Sequence, residues 1–478
     1  MANQKNPSLS HKESLTLLTL TTASMATMAK TVLAEGEPLL ASAALSVSSF
    51  ALCYAMVRWL GPAFMKAGLR GRDMGKVAAG GGEATAEEEI PEGLGAVAAA
   101  VYLLAVIVFI PFPFYKDIVA ATSGGGNRDV VLEPPHNVNH GRFLHRFPHD
   151  KLASYLGAII SLQTVALLGI GDDLFDIRWR HKWWIPGLAS VPLLLVYLID
   201  FGVTSVVIPV QLQPYLGELF DLGALYYVYM ACVAMFCPQS INMFAGINGI
   251  EVSQCLVVAA LLVFNDALYL LTPYPHPATD SHLFSLYLLL PWIGVSAALL
   301  CHNWYPAKVF VGDTYCYFSG MVFAVVGILG HFSKTLGLLL VPQIFNFLYS
   351  CPQIFGIIPC PRHRLPRINP RSGKLEPSVV TWSPHHQPRP LVVRALNLLA
   401  TLRLVRVVYD AQGRLVESSN LTLINLWLIW RGPLREPRLA FELTALQLVA
   451  GLFGLFVRHR LALLVFKEDN WDASSVRS

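Results

Sequence analysis

The chain has 478 residues, of which 54% are hydrophobic and only 14% charged, with a formal net charge of +4. Soluble globular domains carry roughly 25% charged residues, so the composition excludes an ordinary soluble protein and indicates an integral membrane protein. A membrane β-barrel would show alternating polar and apolar residues, whereas the apolar runs here are continuous and predict helices. The small net charge gives no sign of a nucleic-acid partner, and we expect none.

Residues 1–37 are polar and rich in serine and threonine, and we predict a disordered N-terminal extension there. Ten stretches with few or no charged residues follow, most of them near the ~20 residues that a membrane-spanning helix needs. These stretches are 38–57, 94–115, 152–171, 183–199, 222–238, 252–271, 283–301, 314–333, 335–351 and 439–457. We therefore predict an all-α polytopic membrane protein of about ten transmembrane helices over residues 38–460.

The connection 352–438, before the last span, is long enough to fold by itself, and residues 461–478 form a C-terminal tail. Within the connection, Leu402–Tyr409 alternates basic and apolar residues and is followed by Asp-Ala-Gln-Gly. This pattern is typical of one arm of a β-hairpin. We predict a small α/β insertion at 352–438.

Basic residues are unevenly distributed between the two sides that ten spans define. The odd-numbered connections hold 22 of the 35 lysines and arginines, and the even-numbered connections hold six. Because basic residues are enriched in cytoplasmic loops, we predict that the odd connections, including 352–438, are cytosolic.

Two patterns could suggest metal or disulfide chemistry. The connection 116–151 contains four histidines at four- and five-residue spacing, at 136, 140, 145 and 149, but Pro134, Pro135 and Gly141 disfavour a helix that would present them together. We predict a flexible loop there. The eight cysteines have no CxxC spacing and mostly lie in apolar runs, which is typical of small core residues.

The first polar motif, residues 171–182, ends an apolar segment with Asp172, Asp173 and Asp176. On a helix Asp172 and Asp176 share a face, whereas Asp173 points elsewhere. Carboxylates so placed favour a divalent cation or a general base. The alternative is solvated charge at a helix end.

The second motif, residues 236–251, interrupts an apolar run with Asn242, Gly246, Asn248 and Gly249. Non-helical backbone at membrane depth is tolerated where it lines a water-filled cavity. This motif therefore predicts a polar cavity wall.

The third motif is the short hinge 302–313, which lies between two charge-free segments and contains Lys308 and Asp313. A carboxylate near hydrocarbon is costly, so its presence suggests a functional role. The alternative is that Asp313 only caps the next helix, because Gly-Asp-Thr is a favourable helix start.

The fourth motif, residues 358–367, is a proline-stiffened basic cluster with Arg362, His363 and Arg364. Forked guanidinium donors suit a phosphate or sugar ligand. Contact with anionic lipid is the alternative, as for many basic residues just outside a membrane.

Together these motifs resemble, in order, those of one family, the eukaryotic UDP-N-acetylglucosamine–dolichyl-phosphate N-acetylglucosaminephosphotransferases. They are Asp-Asp with Arg-Trp-Arg-His-Lys in 172–182, Ile-Asn-Met-Phe-Ala-Gly-Ile-Asn-Gly-Ile-Glu at 241–251, Asn-Trp-Tyr-Pro-Ala-Lys-Val-Phe-Val-Gly-Asp-Thr at 303–314 and Ile-Pro-Cys-Pro-Arg-His-Arg at 358–364. The resemblance covers roughly residues 38–460. It implies a multi-pass enzyme of the endoplasmic reticulum membrane with ten transmembrane helices and a cytosolic active site.

The implied reaction transfers N-acetylglucosamine-1-phosphate from UDP-N-acetylglucosamine to dolichyl phosphate and releases UMP, as the first step of N-glycan precursor synthesis and the target of tunicamycin. The resemblance implies catalytic residues Asp172, Asp173 and Lys182, Mg²⁺ ligands Asn242 and Asp313, and substrate-binding residues Arg72, Met74, Glu92, Asn248, Phe310, Arg362, His363 and Arg364. Gln239 stands where the family usually has Asn, so its reach differs. Membrane lipid is an expected partner, and the oligomeric state stays open, with a homodimer as one alternative.

Two alternatives remain at this stage. One is the same fold acting on another UDP-sugar or polyprenyl phosphate. The other is a nucleotide-sugar transporter, which would be expected to carry polar residues at mid-span, whereas the motifs here gather at one membrane face. Detection of UMP release would separate the two classes.

Overall fold

Helices form most of the chain in the computed structural model, which describes residues 9–33, 37–72, 89–115, 117–118, 148–175, 177–272, 276–361, 364–383 and 388–466. The helices are α1 (His11–Leu33), α2 (Pro38–Lys66), α3 (Gly95–Phe109), α4 (His149–Phe175), α5 (Trp179–Lys182), α6 (Ile185–Ala189), α7 (Val191–Asp200), α8 (Gln213–Leu216), α9 (Ala224–Met243), α10 (Ile250–Leu270), α11 (Thr279–Asn303), α12 (Gly312–Leu329), α13 (Ser333–Leu339), α14 (Val341–Ile354), α15 (Pro390–Thr401), α16 (Leu423–Arg431) and α17 (Glu436–His459), with a 3₁₀ turn at Leu461–Leu464.

Among the described residues, seven helices are long and apolar enough to cross a membrane, or eight if α13 and α14, which are bent by 71°, form one broken span. Helix α3 is apolar but has 15 residues, and the predicted span 183–199 is divided at Ser190 into α6 and α7. Each of the ten predicted stretches thus coincides with a helix or a helix pair. The prediction of an all-α polytopic membrane protein is confirmed.

The prediction of a disordered extension over residues 1–37 is wrong for His11–Leu33, which is a helix packed along α2. Its start is a capping box, because Glu13 N donates to Ser10 Oγ at 3.2 Å and Ser10 N donates to Glu13 Oε2 at 2.8 Å. Threonines along the helix donate their hydroxyls to carbonyl oxygens three or four residues back. They are therefore compatible with a helix that composition alone suggested was disordered.

Helix α12 is the centre of the bundle, since every residue from Thr314 to Leu329 is buried. It packs against α3, α4, α9, α11 and α13. Small residues allow the neighbouring helices to approach: a Cβ added at Gly320 would lie 2.4 Å from Pro238 of α9, and one at Gly169 of α4 would lie 2.5 Å from the Thr314 Cα. The approach of α4 brings its carboxylates to the first turn of α12.

Strands are short and antiparallel in the described residues. They are β1 (Arg70–Arg72), β2 (Glu89–Pro91), β3 (Ser205–Val207), β4 (Leu219–Asp221), β5 (Arg367–Asn369), β6 (Lys374–Glu376), β7 (Val379–Thr381), β8 (Val407–Tyr409) and β9 (Leu415–Ser419). Pairs β1–β2, β3–β4 and β5–β6 are hairpins, and the order β7–β9–β8 forms a three-stranded sheet.

The connection 352–438 contains the small folded module that the sequence predicted. Strands β8 and β9 pair as a hairpin across the Asp410–Gly413 turn, which confirms the predicted hairpin. Its apolar core comprises Ile358, Trp382, Leu396, Val405, Leu415 and Leu421. Helix α15 packs on this core and α16 packs against α14.

Candidate active site

A cavity of about 690 Å³ opens where α9 and α11 end and α10 and α12 begin, beside the folded module. It is within the 300–1,000 Å³ range typical of ligand sites. Eight of the predicted site residues line it: Arg72, Glu92, Lys182, Asn242, Asn248, Phe310, Asp313 and Arg364. The structure thus brings together residues from all four sequence motifs.

Among the residues that line this cavity, Lys182 lies between two carboxylates. Lys182 Nζ donates to Asp172 Oδ2 at 2.6 Å and to Asp313 Oδ2 at 3.0 Å, and the Asp172 side chain is 1% exposed. Burial lowers the pKa of Lys182, but the Asp313 and Asp172 charges more than offset this and raise it above its ordinary value. The ammonium therefore stays charged between the two carboxyl groups.

Asp173 has a different partner from Asp172, as their adjacent helical positions predicted. Its Oδ1 accepts from Asp313 N at 2.6 Å, and its Oδ2 accepts from Thr314 N at 3.2 Å and Thr314 Oγ1 at 2.6 Å. Asp173 therefore caps α12 from the neighbouring helix. The alternative that Asp313 caps α12 is wrong, because its own carboxylate contacts Lys182 instead.

Gly312 makes this cap possible. Its φ of +74° is a left-handed conformation that suits glycine. A Cβ there would also lie 2.5 Å from Asp173 Oδ2. The glycine therefore allows the carboxylate to reach the amides of the first turn.

Asn242 lies in the last turn of α9 and lines the cavity together with Asp313. Gln239, one turn earlier, donates from Nε2 to the Lys182 backbone carbonyl at 3.1 Å. The glutamine thus contacts the backbone of the lysine, and its longer side chain reaches across to α5.

The glycine-containing segment 244–249 forms one wall, and three side chains that sequence reasoning did not assign hold its backbone. Glu251 Oε1 accepts from Gly246 N at 2.9 Å. Glu436 Oε1 accepts from Asn248 N at 2.7 Å, and Asn303 Oδ1 accepts from Gly249 N at 3.2 Å. Glu251 and Asn303 belong to the quoted motifs, whereas Glu436 gave no signal beyond an acidic residue at a helix start.

The β1–β2 hairpin and the hinge form the opposite wall. Phe310 N donates to Pro91 O at 2.8 Å, which fastens the hinge to β2. A Cβ at Gly71 would lie 2.7 Å from the Phe310 ring, so the hairpin backbone lies directly against that aromatic side chain. Burial and the Asp313 charge raise the pKa of Glu92.

Arg364 reaches the cavity from the folded module. Its backbone carbonyl accepts from Asn425 Nδ2 at 2.9 Å and Ser378 Oγ at 3.2 Å. Its buried Nη1 has no hydrogen-bond partner within the described part of the chain, and burial lowers its pKa. This is a donor available to an anionic ligand.

Three predicted site residues, Met74, Arg362 and His363, lie outside the described residues, as does Asp176. Of the four histidines in the connection 116–151, only His149 is described, where α4 begins.

Two oxygen donors in the cavity match the ligand preference of Mg²⁺. Within the described ranges, no group of three or more His, Cys, Asp or Glu side chains is arranged to hold a metal. Asp313 and Asn242 instead offer two hard oxygen ligands beside a cavity, which suits an ion that takes few protein ligands and completes its shell with water and phosphate.

Charge balance gives a second reason for a cation. Among the described residues that line the cavity, the carboxylates are Glu92, Glu251, Asp313 and Glu436, and the cationic side chains are Arg72, Lys182 and Arg364. Asp172 adds a further carboxylate at the Lys182 end. An anionic ligand would therefore benefit from an added positive charge.

The fold and this cavity, lined by both acidic and basic side chains, define a polytopic membrane protein with a polar site at one end of its helical bundle. Residues 155–331 match the family model described as glycosyl transferase family 4.

Relatives that match along most of their length identify the family more specifically. The chain is 47% identical over 433 residues to the UDP-N-acetylglucosamine–dolichyl-phosphate N-acetylglucosaminephosphotransferase of Saccharomyces cerevisiae, covering 90% of this chain and 94% of that protein. The identity to the Schizosaccharomyces pombe protein of that name is 48% over 442 residues, with 91% and 95% covered. For the Dictyostelium discoideum protein it is 37% over 425 residues, with 85% and 86% covered. The chain belongs to the UDP-N-acetylglucosamine–dolichyl-phosphate N-acetylglucosaminephosphotransferase family.

Proposed function

We propose that this chain transfers N-acetylglucosamine-1-phosphate from UDP-N-acetylglucosamine to dolichyl phosphate, giving N-acetylglucosaminyl-diphosphodolichol and UMP. Family membership makes it a glycosyl-1-phosphate transferase, and its relatives are named for this donor and acceptor. The observation that carries the proposal is the single cavity that joins Lys182, Asp313 and Arg364.

The reaction is a displacement at phosphorus. An oxygen of dolichyl phosphate attacks the phosphorus that bears the sugar, and a new phosphorus–oxygen bond forms. The bond from that phosphorus to the bridging oxygen breaks, and UMP leaves with the electron pair. Because dolichyl phosphate is already ionised near neutral pH, positioning and charge stabilisation, rather than proton removal, account for most of the catalysis.

In this proposal the Lys182 ammonium contacts the pyrophosphate and balances charge that develops as the bridging oxygen leaves. Asp172 holds the ammonium in place through its 2.6 Å contact. Asp173 has a positioning role, because its carboxylate accepts hydrogen bonds from Asp313 N and Thr314 Oγ1 and so holds the first turn of α12.

Asp313 and Asn242 would hold Mg²⁺. The bound ion would neutralise the pyrophosphate and support the departure of UMP. Both side chains line the cavity. Arg364 would bind the sugar-phosphate end through its unpaired donor.

Phe310 and Asn248 would bind the uridine. The Phe310 ring lies against the hairpin and lines the cavity, where it offers a flat apolar surface to a base. Arg72 and Glu92 lie at the same wall.

The lipid acceptor fits a second, apolar groove of about 480 Å³ between α9 and the broken span α13–α14. Phe236 and Cys237 line the groove, and Asn242 lies five residues later on the same helix, about 7.5 Å along its axis. An isoprenoid chain in the groove would direct its phosphate toward the cavity.

The endoplasmic reticulum and a cytosol-facing site are part of the proposal. The excess of basic residues in the connections that carry the site supports this orientation.

The test is an assay of the purified protein in lipid nanodiscs with dolichyl phosphate, a panel of UDP-sugars, and Mg²⁺ present or chelated. We expect UMP release with UDP-N-acetylglucosamine only, and its loss on chelation. Preference for another sugar would support a same-fold enzyme with a different donor, and nucleotide-sugar uptake into vesicles without UMP release would support a transporter.

Arg364→Ala tests the sugar end. Loss of a hydrogen bond to a charged group costs about 1.5–3 kcal/mol, so use of the UDP-sugar should fall about ten- to a hundredfold, while UMP binds nearly unchanged. Arg371→Ala, in the exposed β5–β6 turn, is the matched control. Equal losses for both nucleotides would contradict this role.

A further inference from the structure

Helix α15 has a second apolar face that does not contact the module. One side packs on the module core through Leu396. On the other side Leu391, Leu398 and Leu402 are 78%, 62% and 59% exposed. Leu391 and Leu398, seven residues apart, lie on one face of α15, and Leu402, the residue directly after the helix, extends this stripe four residues further.

Basic residues border this stripe without acidic neighbours in sequence. Arg389, Arg394, Arg403 and Arg406 are all exposed. Arg394 lies three residues after Leu391 and four before Leu398, so it flanks the stripe. No Asp or Glu occurs from 389 to 409.

The turn that follows α15 is hydrogen-bonded to α14 of the broken span and to α16. Tyr349 of α14 donates its hydroxyl to the Leu404 carbonyl. Trp430, 49% exposed, donates from Nε1 to the Arg403 carbonyl at 2.8 Å. Phe355 and Ile357, directly after α14, are 72% and 58% exposed. Exposed aromatic residues near a span end are typical of the membrane interface.

We propose that α15 lies in the head-group region of the bilayer, with Leu391, Leu398 and Leu402 among the acyl chains and the flanking arginines on anionic lipid phosphates. A narrow leucine stripe bordered by arginines is the composition of an interfacial helix. Because α15 belongs to the module that carries Arg364, this contact fixes the module over the cavity. The lipid contact does not depend on the transferase proposal.

The test places an environment-sensitive fluorescent amino acid at position 398, in nanodiscs containing lipids with a nitroxide on the upper acyl chain. The same amino acid at Gln412, in the exposed β8–β9 turn, is the control. We expect at least threefold stronger quenching at 398 than at 412, increasing further when phosphatidylserine is added to phosphatidylcholine.

Quenching at 398 no stronger than at 412 in both lipids would overturn the proposal. So would chemical cross-linking of position 398 to a second copy or to another protein in place of quenching. These readouts need no turnover, so they stand apart from failure of the transferase proposal.

A double variant tests the charge contribution. Arg389→Gln with Arg394→Gln should abolish the increase that phosphatidylserine causes, while Arg414→Gln, on the hairpin turn side, should retain it. Thermal unfolding in detergent checks that both variants fold. An unchanged phosphatidylserine effect in the double variant would show that the arginines do not contact anionic lipid.

Discussion

Two clusters of ionisable side chains lie in the apolar bundle, near opposite ends of α10 and α11. At one end Lys182 joins Asp172 and Asp313 beside an open cavity. At the other, Asp266 pairs with His282 at 2.7 Å and accepts from Ser285 Oγ at 2.5 Å. Asp266 is 15 residues after Glu251 of the cavity wall, roughly 22 Å along α10.

The second cluster is closed. Its Asp266 and His282 side chains are 0% and 5% exposed. Tyr269 stacks on one side of the His282 ring at 3.9 Å, and Phe332 stacks at 5.5 Å. Neither Asp266 nor His282 lines either described cavity.

An ionisable residue within the membrane suggests a functional role, because its burial there is costly. By that criterion both clusters are candidate functional sites. What separates them is access: one set of partners faces a space that can admit a ligand, and the other is completed by side chains alone. We therefore expect substitutions to lower turnover in the first and stability in the second.

The largest effect is expected for Asp313→Asn. The amide keeps the shape but removes the charge at the proposed metal site, so turnover should fall by about 10²–10³, with little change in thermal unfolding. The control is Asp280→Asn, in an exposed pair with Lys151, which should leave both unchanged. Near-normal turnover in a stable Asp313→Asn variant would contradict the metal site and the functional difference between the two clusters.

Asp173→Asn should affect both quantities. Three donors of α12 bond its two oxygens, and an amide can accept at only one of them. Leaving a buried donor unpaired costs about 1–3 kcal/mol, so thermal unfolding should occur at lower temperature and turnover should fall as the site loosens. Loss of turnover at unchanged unfolding temperature would instead assign Asp173 a direct catalytic role.

Asp266→Asn should lower stability alone. The substitution replaces one acceptor between His282 and Ser285 by a donor, at a cost of about 1–3 kcal/mol. Turnover per folded molecule, measured after thermal selection in detergent, should remain at the wild-type value. A large loss of turnover would show that the closed cluster communicates with the site.

The smallest effect is expected for Glu13→Gln. Glu13 binds Arg58 at 3.0 Å and Tyr54 at 3.0 Å, and the ion pair is partly exposed. Such pairs contribute about 0–1 kcal/mol, so unfolding should shift little and turnover should not change. A several-fold loss of turnover would indicate that α1 supports the hinge, which Tyr54 contacts through His302 at 4.3 Å between ring centroids.

A site residue could be predicted from the sequence only where it stands out locally, as an unusual charge or as part of a motif. Asp172, Asp173 and Asp313 are noticeable because charges are rare in apolar segments, and their motifs occur in a known order. The closed cluster was missed, because Asp266 and His282 are not part of those motifs. The wall residue Glu436 was missed too, because its partner Asn248 is 188 residues away.

The sequence by itself determined the membrane helices, the folded insertion and the family, because hydrophobic run length, turn composition and ordered motifs are local properties of the chain. The tertiary structure decided the role of each carboxylate: Asp172 holds Lys182, and Asp173 caps α12 through the amide of Asp313, which lies 140 residues later in the chain. Those roles follow from the close packing of α4 on α12 that Gly169 and Gly312 permit. Adjacent residues of a helix point in different directions, so only the packing of the neighbouring elements fixes their partners.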